Sequence, residues 1–205
     1  MNAARRAVAD EVLAVARAHD AAQADRLARF RNVEPETAEL LGVLVRATRA
    51  RRVLELGTSN GYSTIWLADA AEETGGAVTS VEIDPARTAL AHANLERAGL
   101  DAELVTGDAG ETLHASADGG WDLVFLDSER PAYAGYWPDL LRALRPGGGL
   151  LAIDNVVSHA AEVEEVTALI EAEPAVTTVL VPIGAGVRLV VRNSADMGGA
   201  GFEPA

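Results

Sequence analysis

The 205-residue chain is long enough for one sizeable core and short for two. Its composition is 49% apolar, as in a globular protein, and the absence of cysteine excludes disulfides, thiolate nucleophiles and zinc–thiolate centres. A net charge of −14 opposes non-specific binding to nucleic acid or to an anionic membrane, and no segment approaches the roughly 18 uncharged apolar residues of a spanning helix. Arg5-Arg6 runs into Asp10-Glu11 rather than an apolar stretch, so no secretory signal is expected and a cytoplasmic location is.

Residues 3–30 carry apolar positions at helical spacing: Val8, Val12 and Val15, then Leu27 and Phe30. Pro35 suits the first turn of a second helix over 35–49, with Leu40, Leu41, Leu44 and Val45 on one face. From residue 52 strand and helix alternate. Strands are expected at 52–57, 77–84, 103–108, 121–127 and 148–155, and helices at 61–73, 85–99, 109–116, 131–144 and 158–172. Such alternation of apolar strands with helices implies a doubly wound α/β fold with a parallel sheet.

The rhythm then breaks. Val176–Ile183 and Val187–Val191 are separated only by Gly184-Ala185-Gly186, too short for a parallel crossover, so the last two strands form an antiparallel hairpin. Residues 1–193 read as one domain, with a helical part over 1–50. The tail 194–205, which holds Gly198-Gly199-Ala200-Gly201, is expected to be disordered.

Chemistry-bearing residues collect at the carboxyl ends of the strands, the edge where open α/β sheets bind ligands. The first strand runs into Gly57-Thr58-Ser59-Asn60-Gly61 and then a helix, a turn whose free N–H groups suit an anionic or nucleotide-like ligand. Glu55 lies inside that otherwise apolar strand, where it needs hydrogen-bond partners. Val81-Glu82-Ile83-Asp84 ends the second strand, and an acid there can accept from both hydroxyls of a ribose. Gly107-Asp108-Ala109 ends the third. The fourth ends at Asp127 and the fifth at Asp154-Asn155: two carboxylates and an amide carbonyl, an all-oxygen set suited to Mg2+ or Ca2+.

Together these segments, Glu55 to Ser63, Val81 to Asp84, Gly107 to Ala109, Phe125 to Asp127 and Asp154 to Val156, resemble the class I S-adenosylmethionine-dependent methyltransferases. More narrowly, the chain resembles the cation-dependent O-methyltransferases, which include catechol and caffeoyl-CoA O-methyltransferases and small bacterial relatives. The resemblance covers roughly residues 33–192. It implies a Rossmann-like, seven-stranded, mostly parallel sheet. It also implies that Glu55, Gly57 and Ser63 hold the methionine part of the cofactor, within the turn that includes Thr58, Ser59 and Gly61, and that Val33 covers it. Glu82 would bind the ribose hydroxyls, Ile83 would lie on the adenine, and Asp108 and Ala109 would meet its edge. Asp127 would touch both cofactor and metal, and Asp154 and Asn155 would complete the metal ligands, Mg2+ first, with Ca2+ or Mn2+ also suited. The resemblance further implies a small hydroxylated acceptor, aromatic and catechol-like, and a homodimer.

The chain departs from that family's pattern in three places. Relatives carry Asp-x-Asp-Lys-x-x-Tyr after the fourth strand, with lysine as base. Here the segment is Asp127-Ser128-Glu129-Arg130-Pro131-Ala132-Tyr133, and an arginine cannot serve as a base. The catalytic part then falls to Asp127 and to Arg130, which can steady a developing phenolate or else pair with Glu129 at the surface. His159 is an alternative base, although a solvent-facing position is expected for it. The segment after Asn155 is short, which implies an open acceptor site. The hairpin Val181-Pro182-Ile183-Gly184 lacks the acid that catechol enzymes place against the second hydroxyl. Tyr133, Tyr136 and Trp137 are candidates for an aromatic acceptor pocket or for core packing. Two other readings stay open: methyl transfer to a hydroxylated uridine of tRNA, which the negative charge argues against, and cofactor binding without turnover, suggested by Arg130.

Overall fold

The computed structural model describes residues 1–194; the expected disorder of the tail concerns residues almost all outside the described ones. Strand and helix alternate as follows: α1 (Ala3–Ala22), α2 (Pro35–Thr48), β1 (Arg52–Leu56), α3 (Tyr62–Thr74), β2 (Ala77–Glu82), α4 (Pro85–Ala98), β3 (Glu103–Thr106), α5 (Ala109–Ala115), β4 (Leu123–Leu126), α6 (Tyr133–Ala143), β5 (Leu150–Ile153), α7 (Glu164–Ala172), β6 (Val176–Val181) and β7 (Val187–Arg192). The seven strands form one sheet in the order β3-β2-β1-β4-β5-β7-β6. All pairings from β3 to β5 are parallel; β7 runs antiparallel to both β5 and β6. The doubly wound sheet and the C-terminal hairpin are therefore as the sequence implies.

Two apolar layers explain the alternation. Val53, Val78, Leu123, Phe125 and Ala152 face α1 to α4, whereas Leu54, Leu56, Val124, Leu126 and Ile153 face α5, α6 and α7. Successive strand residues point to opposite faces, so a strand covered on both sides must be apolar throughout. Deletion of one large buried side chain from either layer costs about 2–5 kcal/mol.

The strands end one or two residues earlier than their apolar runs suggest, which leaves Asp127 and Asp154 just beyond β4 and β5. Three helices are also shorter than expected. The helix predicted over 3–30 stops at Ala22, because Asp20 turns the chain: its carboxylate accepts from the backbone N–H of Phe30 at 2.7 Å and of Arg31 at 2.9 Å. Asp25 then caps a short 3-10 turn, Arg26–Ala28. Val15, expected on the apolar face of α1, is exposed, and Ala9, Val12, Leu13 and Ala16 are buried instead. The helix expected from residue 158 begins at Glu164, after a 3-10 turn at Ala160–Glu162. That over 131–144 opens with a 3-10 turn at Arg130–Ala132.

Candidate active site

The chain leaves β1 for β2 on one side of the sheet and returns to β4 on the other, so the strand order reverses between β1 and β4. Splayed connections open a crevice at such a point, and a cavity of about 440 Å3 lies there. Gly57 forms one wall. Its φ is 108°, and a Cβ there would overlap the carbonyl of Asp127. Only glycine lets the turn after β1 pack against the turn after β4. Gly61, at φ 84°, caps α3 from behind and lies against Ala91 of α4 rather than on the cavity wall.

Thr58, Ser59 and Ser63 line the cavity as expected, and Val33 closes it from the start of α2. Glu55 does not reach it. It is paired in register with Ser80 and lies under the first turn of α3, where its carboxylate accepts from the hydroxyls of Ser63, Thr64 and Ser80. Burial pushes its pKa up to about 7 even though the three hydroxyls favour the charged form. Glu55 thus lies behind Ser63 rather than on the cavity lining where a direct ligand was expected.

Glu82 does line the cavity, and it braces the turn: one carboxylate oxygen accepts from Ser59 N–H at 2.8 Å, the other from Asp84 N–H at 3.0 Å. Asp108 caps α5 by accepting from Glu111 N–H at 2.9 Å, and with Ala109 it forms the far wall. Between them Ile83 is 71% exposed and lines the same cavity. A free apolar side chain among fixed polar groups is the pattern of a small-molecule site. Tyr136 also sits at this end: a Cβ on Gly110 would lie 2.7 Å from its ring.

At the other end the three expected metal ligands come together. Asn155 Nδ2 donates to Asp154 Oδ2 at 2.8 Å and to Asp127 Oδ1 at 3.3 Å. Asn155 has φ 64°, a conformation asparagine tolerates, and its loop is braced by the hairpin turn, where Gly186 C=O accepts from Val156 N–H. Asp154 Oδ1 is buried and without a partner. Burial raises the pKa of both acids, and at Asp127 repulsion from Asp154 adds to it. A site with two repelling carboxylates, an orphaned oxygen and an adjacent amide fits a hard divalent cation. Among the described residues no cluster of three or more His, Cys, Asp or Glu is placed to hold a metal, so the acids alone do not make up a metal centre here. Asp127 and Asn155 line the cavity, whereas Asp154 lies behind them.

The alternatives left open for Arg130 and for the aromatic residues divide here, and the solvent-facing position expected for His159 does not hold. Arg130 is not a surface partner of Glu129: it is buried, lines the cavity, and donates from Nε to Glu162 at 2.9 Å. Glu129 pairs instead with Arg31, at 2.7 Å. His159 does not simply face solvent but lines the cavity, and burial with the Arg130 charge holds it below its usual pKa, hence neutral at pH 7. Tyr133 and Trp137 belong to the core under α6, with Tyr133 donating to Ser128 C=O at 3.0 Å.

The sequence reading missed the strap over the cavity. Arg26, Arg29, Phe30, Arg31 and Asn32 all line it. The strap is tied by Asp20, by Ser59 donating to Phe30 C=O at 2.8 Å, and by Arg87 donating to Leu27 C=O at 2.6 Å and Arg29 C=O at 3.0 Å. The run of three arginines just before Val33 was the signal that could have revealed it.

Comparison with known proteins agrees with this arrangement. A family model described as O-methyltransferase matches residues 7–193. A catechol O-methyltransferase of Mycobacterium tuberculosis is 40% identical over 151 residues, which are 72% of this chain and 66% of the relative. One from Niastella koreensis is 37% identical over 139 residues, 65% of this chain and 62% of the relative. The matched stretch thus spans just under two thirds of both enzymes. The crystal structure of an O-methyltransferase from Bacillus cereus in complex with SAH has TM-score 0.75 at 29% identity, covering 91% of this chain and 90% of that one.

Proposed function

The chain belongs to the O-methyltransferase family, and from that premise we propose that it moves a methyl group from S-adenosylmethionine to a hydroxyl oxygen of a small, catechol-like aromatic acceptor, with a divalent cation, Mg2+ first, between Asp127, Asp154 and Asn155. The observation that carries the cation is the orphaned, buried Asp154 Oδ1 beside a second carboxyl of raised pKa.

The cofactor would supply an activated methyl on a sulfonium, and a cation held by Asp127, Asp154 and Asn155 would supply Lewis acidity that lowers the pKa of an acceptor hydroxyl. The chain's own residues do the positioning. Ser63, set by Glu55, and the turn Gly57 to Ser59 offer polar groups to the methionine end. Glu82 stands at the wall where the two hydroxyls of a ribose would donate to its carboxylate, and Ile83 offers an apolar shelf for a base. Asp127 borders both halves. Arg130, held by Glu162, keeps a fixed positive charge on the cavity wall. Neutral His159 is the nearest candidate on the chain to carry the phenolic proton away. Holding acceptor oxygen and methyl in line is the main contribution, since orientation alone supplies several kcal/mol (~7–11) of the barrier.

The test is methyl transfer to a panel of catechols with and without EDTA. Activity lost with chelator and restored by Mg2+ is expected; full activity in EDTA rejects the cation. Exposed Val15 and Leu27 support a homodimer, which light scattering tests: monomers alone at micromolar concentration reject it. Among the described residues no helix is long and apolar enough to cross a membrane, in keeping with a cytoplasmic place of action. Cell fractionation checks that location.

A further inference from the structure

We propose that the methyl acceptor carries a carboxylate, held by Arg130 and Arg31 at the mouth of the cavity. The inference rests on the methyltransferase reading above and adds a substrate class to it.

The starting observation is where the positive charge lies. The chain has a net charge of −14, and all 17 of its basic side chains are arginines. Five of them, Arg26, Arg29, Arg31, Arg87 and Arg130, line this one cavity. Arg29 and Arg87 spend donors on backbone carbonyls and tie the strap. Arg31 and Arg130 are different. Arg130 is only 5% exposed, and its sole hydrogen bond among the described residues runs from Nε to Glu162, which leaves both terminal nitrogens without a partner. Arg31 uses Nη2 on Glu129, while its Nε is buried and has no partner. Ser128 Oγ and Asn32 Nδ2, on the same wall, are also buried and unpaired.

A buried, unpaired donor on a charged group, such as Arg31 Nε, is costly, and the terminal nitrogens of Arg130 on the cavity lining are free to take an acceptor. Such a set calls for an acceptor of matching shape, and two parallel N–H groups of a guanidinium match a carboxylate. The acids already present do not fill that role. Glu162 and Glu129 are 37% and 51% exposed on their side chains, and solvent screens their charge. Each leaves donors free, since a guanidinium has five. The position fits the acceptor rather than the adenosyl end. Arg130 and Arg31 line the cavity with Asp127 and His159, and Arg31 pairs with Glu129, two residues past Asp127, whereas Ile83 and Asp108 lie just beyond β2 and β3. A cavity of about 440 Å3 that also seats the cofactor favours a one-ring acid over a larger anion.

The experiment titrates 3,4-dihydroxybenzoate and its methyl ester into the full chain saturated with SAH and Mg2+. The acid is expected to bind about tenfold more tightly than the ester. Equal affinity, or a preference for the ester, overturns the proposal without any variant. Arg31→Gln and Arg130→Gln should each remove most of that preference, with Arg130→Lys restoring part of it. Loss of SAH affinity in these variants with the acid preference intact would assign the arginines to the cofactor and overturn the proposal. Turnover of plain catechol reports separately on the parent reading: catechol methylated with no advantage for the acid rejects the carboxylate alone.

Discussion

A Cβ at Gly57 would overlap the main-chain carbonyl of Asp127. The turn that follows β1 and the turn that follows β4 thus approach backbone to backbone, with no side chain between them at Gly57. Gly57→Ala is expected to force these turns apart. The strain at φ 108° and the overlap together should cost about 1–3 kcal/mol of stability. Urea unfolding measures the first effect, and SAH titration should show weaker binding as well. A variant with wild-type stability and affinity would mean that the contact is not needed.

Asp127 and Asp154 differ in position, so their variants should differ in kind. Asp154 lies behind the cavity wall, and Asp154→Ala is expected to abolish turnover with SAH affinity nearly unchanged. Asp127 lines the cavity, and Asp127→Ala should abolish turnover and weaken SAH binding about tenfold. Calorimetric titration of SAH into each variant separates the two. Normal SAH binding by Asp127→Ala would contradict its place in both halves.

Ile83 is exposed in the absence of ligand, so shortening it should not harm the fold. Ile83→Ala is expected to change stability by less than about 0.5 kcal/mol. If a base covers this side chain, the same variant loses roughly 1–2 kcal/mol of cofactor binding, a fivefold or greater rise in the SAH dissociation constant. Melting curves with and without SAH check both numbers.

Glu55 makes stability depend on pH in the direction opposite to an ordinary salt-bridged acid. Its pKa rises from 4.5 to about 7 on folding because the carboxylate is fully buried. Below pH 4.5 it is protonated in both states and costs nothing. Between about 4.5 and 7 the unfolded chain releases the proton first, so stability falls as pH rises, by about 3 kcal/mol in all. Glu55→Gln should flatten that part of the curve in urea unfolding at pH 5, 6 and 7.5. An unchanged slope would show that the three hydroxyls keep the carboxylate charged.

Much of this architecture was legible in the chain itself. Apolar runs alternating with helical spacing dictated a parallel sheet, and in a parallel sheet all carboxyl ends share one edge. Glu82, Asp108, Asp127 and Asp154 therefore share one edge of the sheet, and the order β3-β2-β1-β4-β5 sets them on either side of the turn at Gly57. The three-residue gap at Gly184-Ala185-Gly186 likewise left only an antiparallel pairing for β6 and β7. These features follow from local geometry: strand period, turn length and the direction of the chain.

Tertiary structure alone decided which groups face the cavity. Glu55 and Glu82 are both acids near the ends of neighbouring apolar strands. Register with Ser80 under α3 withdraws the first, and backbone donors in the turn fix the second at the wall. Arg130 pairs with Glu162, 32 positions away, while Glu129 beside it pairs with Arg31. Tyr133 and Trp137 went to the core because α6 packs that face against the sheet. The strap from Arg26 to Asn32 lies over the site because Asp20, Ser59 and Arg87 hold it there. Each of these outcomes depends on a partner distant in sequence, and local spacing holds no record of that partner. The positions of the strand-end acids were thus set by periodicity, and their division of labour by long-range contact.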